Sequence, residues 1–349
     1  MPKTSKIFEE LLKNYFNNYY ATHPSDATYV GLKSGEGKMN SISFSSLNRQ
    51  QKKRKDALFK LDKIPPSNLS NEQNLDRLAF RSRLLRECED FERKKHALHP
   101  KGIDEVLEFL LQELQRSETE PKRAAKNIRS LLKESQRYLK QAAKLIDKPE
   151  RVWLNIMISS FKASDSFFEA LKTFLRNNGN EQKDNSLINL CKKACKGYYE
   201  NILKKPLANP GSFAIGSEIL ERRIRDELGL DYTVGQVEAI ALSEIDRVGN
   251  QLKKEFTKLK KHNSSKSIVE VARSQWKPKG NLLDLYKKTN DKIIQKFKAA
   301  DAITFPKGDS LKITLVPDFM AHVIPMAAYS PPGPFDKRQR GYFWVNDLG

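Results

Sequence analysis

The chain has 349 residues, of which 38% are hydrophobic and 30% charged, with 63 Lys and Arg against 43 Asp and Glu for a formal net charge of +20. That balance excludes a disordered chain and leaves enough apolar material for a large core spread over one or more domains. No run of about 18 apolar residues occurs, which excludes a transmembrane helix from the reading, so no membrane partner is expected.

The opening Met1-Pro2-Lys3-Thr4-Ser5-Lys6-Ile7-Phe8 is followed by Glu9 and Glu10, where a signal peptide needs an apolar stretch, and the expected location is cytoplasmic. Cys88, Cys191 and Cys195 are too few and odd in number for a disulfide framework, which fits a reducing compartment. The positive charge favours nucleic acid, anionic lipid or acidic partners. Its lysines, however, are interleaved with acids along many segments, and no nucleic-acid-binding motif accompanies them, so a lysine-rich solvated surface is the simpler reading.

In chain order, Lys6 to Thr22 reads as an amphipathic helix with Phe8, Leu11, Leu12, Tyr15, Phe16 and Tyr19 at three-four spacing, ended by His23-Pro24. A polar Ser- and Gly-rich segment, 33–46, leads to a short helix carrying the basic run Lys52-Lys53-Arg54-Lys55, read as a solvated face, with Leu58, Phe59 and Leu61. Pro65-Pro66 breaks the chain. Ser70 with Gln73 forms a capping box that opens a long helix to about Leu98, with Leu75, Leu78, Leu85 and Phe91 expected inside. A short helix from Gly102 to Arg116 rests on Val106, Leu107, Leu110, Leu111 and Leu114. Pro121 opens the next, whose Ala125, Ile128, Leu132, Leu139, Ala142 and Ile146 form the narrow seam of an antiparallel helix pair.

Trp153 to Leu175 is the most apolar helix and is expected to be central; Leu187 to Leu203 resumes the helical period after Asn177-Asn178-Gly179-Asn180. A helix ends at Leu228, and Thr233 with Gln236 forms a second capping box. Behind it Val237, Ala241, Ile245, Val248, Leu252, Phe256 and Leu259 make the cleanest periodic segment of the chain. Asn263-Ser264-Ser265 interrupts, and helices near 268–274 and 282–299 complete the set. From Phe305 the period drops to two: Leu311, Ile313 and Leu315 alternate with Lys312 and Thr314, and Tyr342 to Val345 is aromatic and β-branched. The expected fold is mainly α, with about ten helices over 1–300 and a short C-terminal β region over 301–349. A strand at the end of the chain implies missing cover, because strand edges need partners.

Several side-chain groups invite chemistry and have plainer readings. Cys191 and Cys195 share a helix face but lack the further ligands of a zinc site, so they read as buried apolar residues. His96 and His99 straddle a helix end before Pro100 and suit a loop or capping role. The acidic run Glu87, Glu89, Asp90 and Glu92, interleaved with Arg86 and Arg93, reads as a solvated face. A di-iron bundle would need Glu three positions before a histidine, and none of the five histidines has one. No Gly-rich phosphate loop, nucleophile elbow or kinase signature is present.

Four stretches carry a resemblance: His23-Pro24-Ser25-Asp26-Ala27-Thr28-Tyr29-Val30-Gly31; Phe213 to Ile224 with Leu228-Gly229-Leu230-Asp231-Tyr232-Thr233; Leu315-Val316-Pro317 with Ala328-Tyr329; and Tyr329-Ser330-Pro331-Pro332-Gly333-Pro334-Phe335-Asp336 followed by Gly341 to Asn346. In this order they resemble the front half of the bacterial domain-of-unknown-function family DUF eight-eight-five, placed among gluzincin-like zinc metallopeptidases. That resemblance implies a zinc site made by a His-Glu pair, a second His and a later Glu. Here the histidines precede Pro24, Ala97, Pro100, Asn263 and Val323, so no His-Glu pair exists. The chain therefore reads as the N-terminal, helical portion of such a peptidase, truncated before its zinc motif and inactive alone. No catalytic or metal residue and no cofactor are assigned to it. Zinc is expected only in the complete family member, with a complementary C-terminal polypeptide and a peptide substrate as partners.

The same resemblance implies that Tyr329, Tyr342, Phe343, Trp344 and Asn346, with less weight on His322, line the substrate cleft, where a strand edge takes up a peptide. The plainer alternative is that the strand packs the sheet onto the helices. A second function class stays open, a non-catalytic basic helical scaffold that binds nucleic acid or an acidic protein.

Overall fold

The structure, a computed structural model, describes residues 3–116, 120–179, 181–260, 270, 280–321 and 324–347. The chain divides into two compact units, Met1–Ala214 with Phe305–Gly349, and Ile215–Thr304. Twelve α-helices and one three-stranded sheet lie among the described residues, a mainly α architecture with its strands at the C-terminal end. His262, the Asn263-Ser265 break, the helix expected near 268–274 and His322 lie outside the described residues.

The first unit opens with α1 (Lys3–Thr22), α2 (Pro24–Tyr29), α3 (Phe44–Asp62) and α4 (Asn71–Glu92). Phe8, Leu61, Phe80 and Leu84 from α1, α3 and α4 form a small core with Tyr15 at its margin. Ser70 and Gln73 exchange both capping-box hydrogen bonds at 3.2 and 3.3 Å. Within α4 the buried face differs from the sequence reading: Leu75 and Leu78 are 67% and 53% exposed, while Phe80, Leu84 and Cys88 are buried. At 100° per residue these two sets lie about half a turn apart, so α4 carries two apolar stripes and buries one. The long helix also stops early. Lys94 takes a left-handed φ of 54°, which separates α4 from the one-turn α5 (Lys95–Leu98).

The acidic run at the end of α4 is not simply solvated. Glu87 accepts from Arg54 and Arg83 Nε at 2.7 and 2.8 Å, and Glu89 is buried. The basic run on α3 is likewise engaged: Arg54 holds Glu87, Lys55 pairs with Glu92 and Lys53 donates to Asn18.

The larger core joins α6 (Gly102–Arg116), α7 (Pro121–Leu145), α8 (Arg151–Arg176) and α9 (Glu181–Leu203). Ala125, Ile128, Leu132, Leu139 and Ala142 of α7 are buried along the expected seam. It is α7, packed against both α6 and α9, that occupies the middle, whereas α8 buries Met157, Phe168, Leu171 and Leu175 and leaves its other face wet. Cys191 and Cys195 are buried in this core as free thiols.

The sheet has the order β1 (Ser310–Leu315), β3 (Arg340–Val345), β2 (Ala327–Ser330), with β3 parallel to β1 and antiparallel to β2. Only Ile313 of the β1 alternation is buried; Leu311 and Leu315 are exposed on this edge strand. Val316, Ile324 and Trp344 form the sheet's own small core, and Met320 touches both this core and the helical one, seating the sheet beside α8.

The second unit contains α10 (Ser217–Leu228), α11 (Val234–Lys260) and α12 (Leu282–Ala299). Thr233 and Gln236 cap α11 as expected, through bonds of 2.9 and 3.2 Å, and Asn281 caps α12 at 2.8 Å. Among the described residues of this unit, Ile224 is the one buried hydrophobic side chain.

Candidate functional site

A cleft of about 410 Å³ opens in the first unit between α6, the loop after α2, the start of α7 and the C-terminal sheet. Its helical wall is the polar face of α6. Glu108, Gln112, Gln115 and Arg116 recur at three-four spacing and line the cleft, while Val106, Leu107 and Leu110 point into the core. Opposite stand Tyr329, Tyr342 and Trp344, with the proline-rich turn Pro331 to Asp336 closing one end.

Pleat alternation decides which residues of β3 take part. Tyr342 and Trp344 are two apart on β3, share a face and stack with ring centroids 5.5 Å apart. Tyr342 Oη donates to the Gln115 carbonyl at 3.2 Å, tying the sheet to the end of α6. Phe343 points to the other face and does not line the cleft. Asn346 does not line it either; its side-chain amide donates to the carbonyls of Ala321 and Ile324 at 3.1 and 2.8 Å, which fixes the turn beneath β2. Tyr329, 57% exposed, lines the cleft from the edge strand, and its ring lies across Gly341 on Phe343's face, where a Cβ would approach it to 2.7 Å.

The edge of β2 has defined polarity. Asn346 N donates to the Met326 carbonyl at 2.8 Å, which makes that pair hydrogen-bonded. By alternation Ala328 and Ser330 also bond to β3, so the N–H and C=O of Ala327 and Tyr329 point away from it. Among the described residues no strand pairs with β2 on that side.

The proline-rich turn is clamped to the loop after α2. Phe335 N donates to Val30 O at 2.9 Å, and Asp336 Oδ2 accepts from Gly333 N at 2.9 Å. Gly31 (φ +90°) and Gly333 allow this approach: a Cβ on Gly31 would sit 2.4 Å from Asp336 N, and one on Gly333 2.5 Å from Tyr29 O. Arg116 donates to the Thr28 carbonyl and lies 3.7 Å from Asp336, bridging clamp and wall.

Charge in the cleft is mixed and largely paired. Arg123 Nε donates to Glu36 at 2.7 Å and Nη1 to Glu120 at 2.8 Å, and Asn127 bridges Glu36 and the buried Glu113 at 3.1 Å each. The Glu108 carboxyl lies above its ordinary range, chiefly through partial loss of hydration at the cleft and then through the nearby Glu105 charge, while much of the residue stays open to solvent. Burial raises Glu113 in the same sense, against the pull of Asn127 and Arg116. Gln112 presents a buried side-chain oxygen without a hydrogen-bond partner.

The described residues do not fit a zinc ion. Among them no three His, Cys, Asp or Glu side chains converge as ligands. Each of the three described histidines stacks on its own aromatic ring: His23 on Tyr19, His96 on Phe91 and His99 on Trp153. The α6 wall, with Glu36 and Arg123, was missed in the sequence because its polar period looks like any wet helix face.

Fold and cleft together define a mainly helical protein with a groove between a helix wall and a small mixed sheet. The chain belongs to the family described as "Bacterial protein of unknown function (DUF885)", which matches residues 24–348. A solved protein of unknown function from Shewanella oneidensis, provisionally described as a lipoprotein, has a similar fold, with a TM-score of 0.67 at 16% identity over 98% of this chain. The match covers 65% of that protein's chain, so this sequence spans less than two thirds of its length. No curated protein matches the sequence. No helix among the described residues is long and apolar enough to cross a membrane.

Proposed function

We propose that this chain is the substrate-cleft portion of a peptide hydrolase whose hydrolytic residues lie on polypeptide outside it. One observation carries the reading: β2, whose outward edge has no strand beside it among the described residues, lines through Ala328 to Ser330 a cleft that Tyr342 and Trp344 also line. An extended peptide laid along β2 pairs with the outward N–H and C=O of Ala327 and Tyr329, and the rings beside them offer apolar contact. Resemblance to the gluzincin-like peptidases supports zinc as the metal of the complete protein. No His-Glu pair occurs in this sequence, so the ligands belong elsewhere. Three buried free cysteines support a reducing, cytoplasmic setting.

A scaffold for nucleic acid has less support, because within that basic run Arg54 is ion-paired with Glu87 and Lys55 with Glu92. The test is metal and activity analysis of the purified chain. The proposal expects far less than one zinc per chain after dialysis and no cleavage of an unstructured peptide mixture. A tightly held stoichiometric zinc, or cleavage by the chain alone, contradicts it.

A further inference from the structure

The charges that line the cleft are unevenly placed along it. Arg116 is balanced by Asp336, and Arg123 by Glu36 and Glu120. That leaves Lys33, Lys337 and Arg338, which line the cleft, are exposed, and form no ion pair or side-chain hydrogen bond among the described residues. All three belong to one end. Lys33 lies two positions after Gly31, which abuts Asp336, and Lys337 and Arg338 continue directly from Asp336 towards β3. This is the end of β2 at Ser330, where the strand runs into the proline-rich turn. The remaining carboxylate of the lining, Glu108, sits on α6 about 12 Å back along the helix axis from Arg116. Single surface lysines mean little on a chain of net charge +20. Three cations at the closed end of a cleft act together, because the walls focus their field into the space that a ligand must enter.

We propose that the cleft selects peptides that carry a carboxylate, held by Lys33, Lys337 and Arg338 where β2 meets the turn. The inference rests on the reading of β2 as a peptide-binding edge and adds to it the class of substrate. An acidic side chain and a C-terminal carboxylate supply the same group. A guanidinium can hold it through two parallel N–H bonds, and an ammonium holds it as a point charge. Because the three cations stay hydrated, each contact is weak and is screened by salt, so the preference is graded rather than absolute. The pairing groups of Ala327 and Tyr329 bind backbone of any sequence, so it is these side chains that distinguish one peptide from another.

The experiment uses the full 349-residue chain and labelled decapeptides of one unstructured sequence, read by fluorescence polarisation at low and high salt. One peptide has internal Glu and an amidated C terminus. A second has Gln at those positions and the amide, a third has Gln and a free C-terminal carboxylate, and a fourth has Lys and the amide. At low salt the Glu peptide, the free-carboxylate peptide or both should bind roughly threefold to tenfold more tightly than the Gln amide, and the favoured peptide identifies the source of the carboxylate. The Lys peptide should bind no better than the Gln amide, and high salt should shrink the preference. Lys337→Gln with Arg338→Gln should abolish it with circular dichroism unchanged. Lys253→Gln with Lys254→Gln, which removes the same charge from exposed positions on α11, should preserve it. Equal binding of all four peptides by the parent chain overturns the inference and leaves the peptide-binding edge standing. An equal loss in both double variants also overturns it, since the net charge of the chain then explains the preference. Binding of none of the four removes the edge and the inference together.

Discussion

Gly31→Ala should loosen the sheet from the helical body without unfolding that body. The φ of +90° costs an L-residue about 1–2 kcal/mol. The new Cβ would also sit 2.4 Å from Asp336 N and 2.7 Å from Phe335 C, both backbone atoms that no rotamer change can move. Relief requires the proline-rich turn to retreat by roughly 1 Å, which breaks the Phe335 N to Val30 O hydrogen bond at a net cost of about 1 kcal/mol. The sum, about 3 kcal/mol, falls on the clamp. Native-state hydrogen exchange reads it directly: β3 amides should exchange on the order of 100-fold faster, while amides of α7 keep their protection. Gly197→Ala, on α9 where a Cβ meets nothing within 4 Å, is the control and should be neutral or slightly stabilising. Unchanged exchange across β3 in Gly31→Ala would refute the clamp.

Two further predictions concern the helical body. His99, stacked on Trp153, has its folded pKa lowered from 6.5 to about 4, chiefly by burial and then by Lys101 and Lys95. The unfolded chain therefore binds the extra proton first, and stability falls as pH drops from 6.5 towards 4, by up to about 3 kcal/mol. Urea midpoints at pH 7 and pH 4.5 should converge in His99→Phe relative to the parent chain; equal slopes in both would be contrary. Arg129 grips Asp184 with two bonds of 2.7 and 2.9 Å, and the Asp184 carboxylate is buried. Arg129→Ala strands that charge and should cost about 3–5 kcal/mol in urea unfolding, whereas Arg137→Ala, exposed beside Glu134, should cost under about 1 kcal/mol.

Local rules made much of this fold legible. Ser70 with Gln73, Thr233 with Gln236, and Pro121 each announce a helix start by satisfying or omitting an orphan N–H, and such signatures need no tertiary context. The seam of α7 is equally plain. What stayed hidden was relational. On α4, two apolar stripes compete and only packing chooses between them. Strand β2, Ala-Ala-Tyr-Ser, is short and alanine-rich, so it carries little β-propensity although it forms the cleft's edge. Tyr342 and Trp344 were legible as a pair; setting Phe343 apart from them required applying the same two-residue alternation to its face. The α6 wall became a site only when the loop at Gly31 and the turn at Asp336 closed over it.

The central claim is that the outward edge of β2 receives a peptide. It is tested most directly by titrating a fluorescently labelled, unstructured decapeptide library with the chain and with Ala327→Pro, read by polarisation. Proline at 327 removes an N–H that points away from β3 and leaves the pairing of β2 intact, as edge strands tolerate. The account predicts saturable binding to the parent chain, at least tenfold weaker in Ala327→Pro with the same circular dichroism. Equal binding by both proteins, or none by the parent, would contradict it.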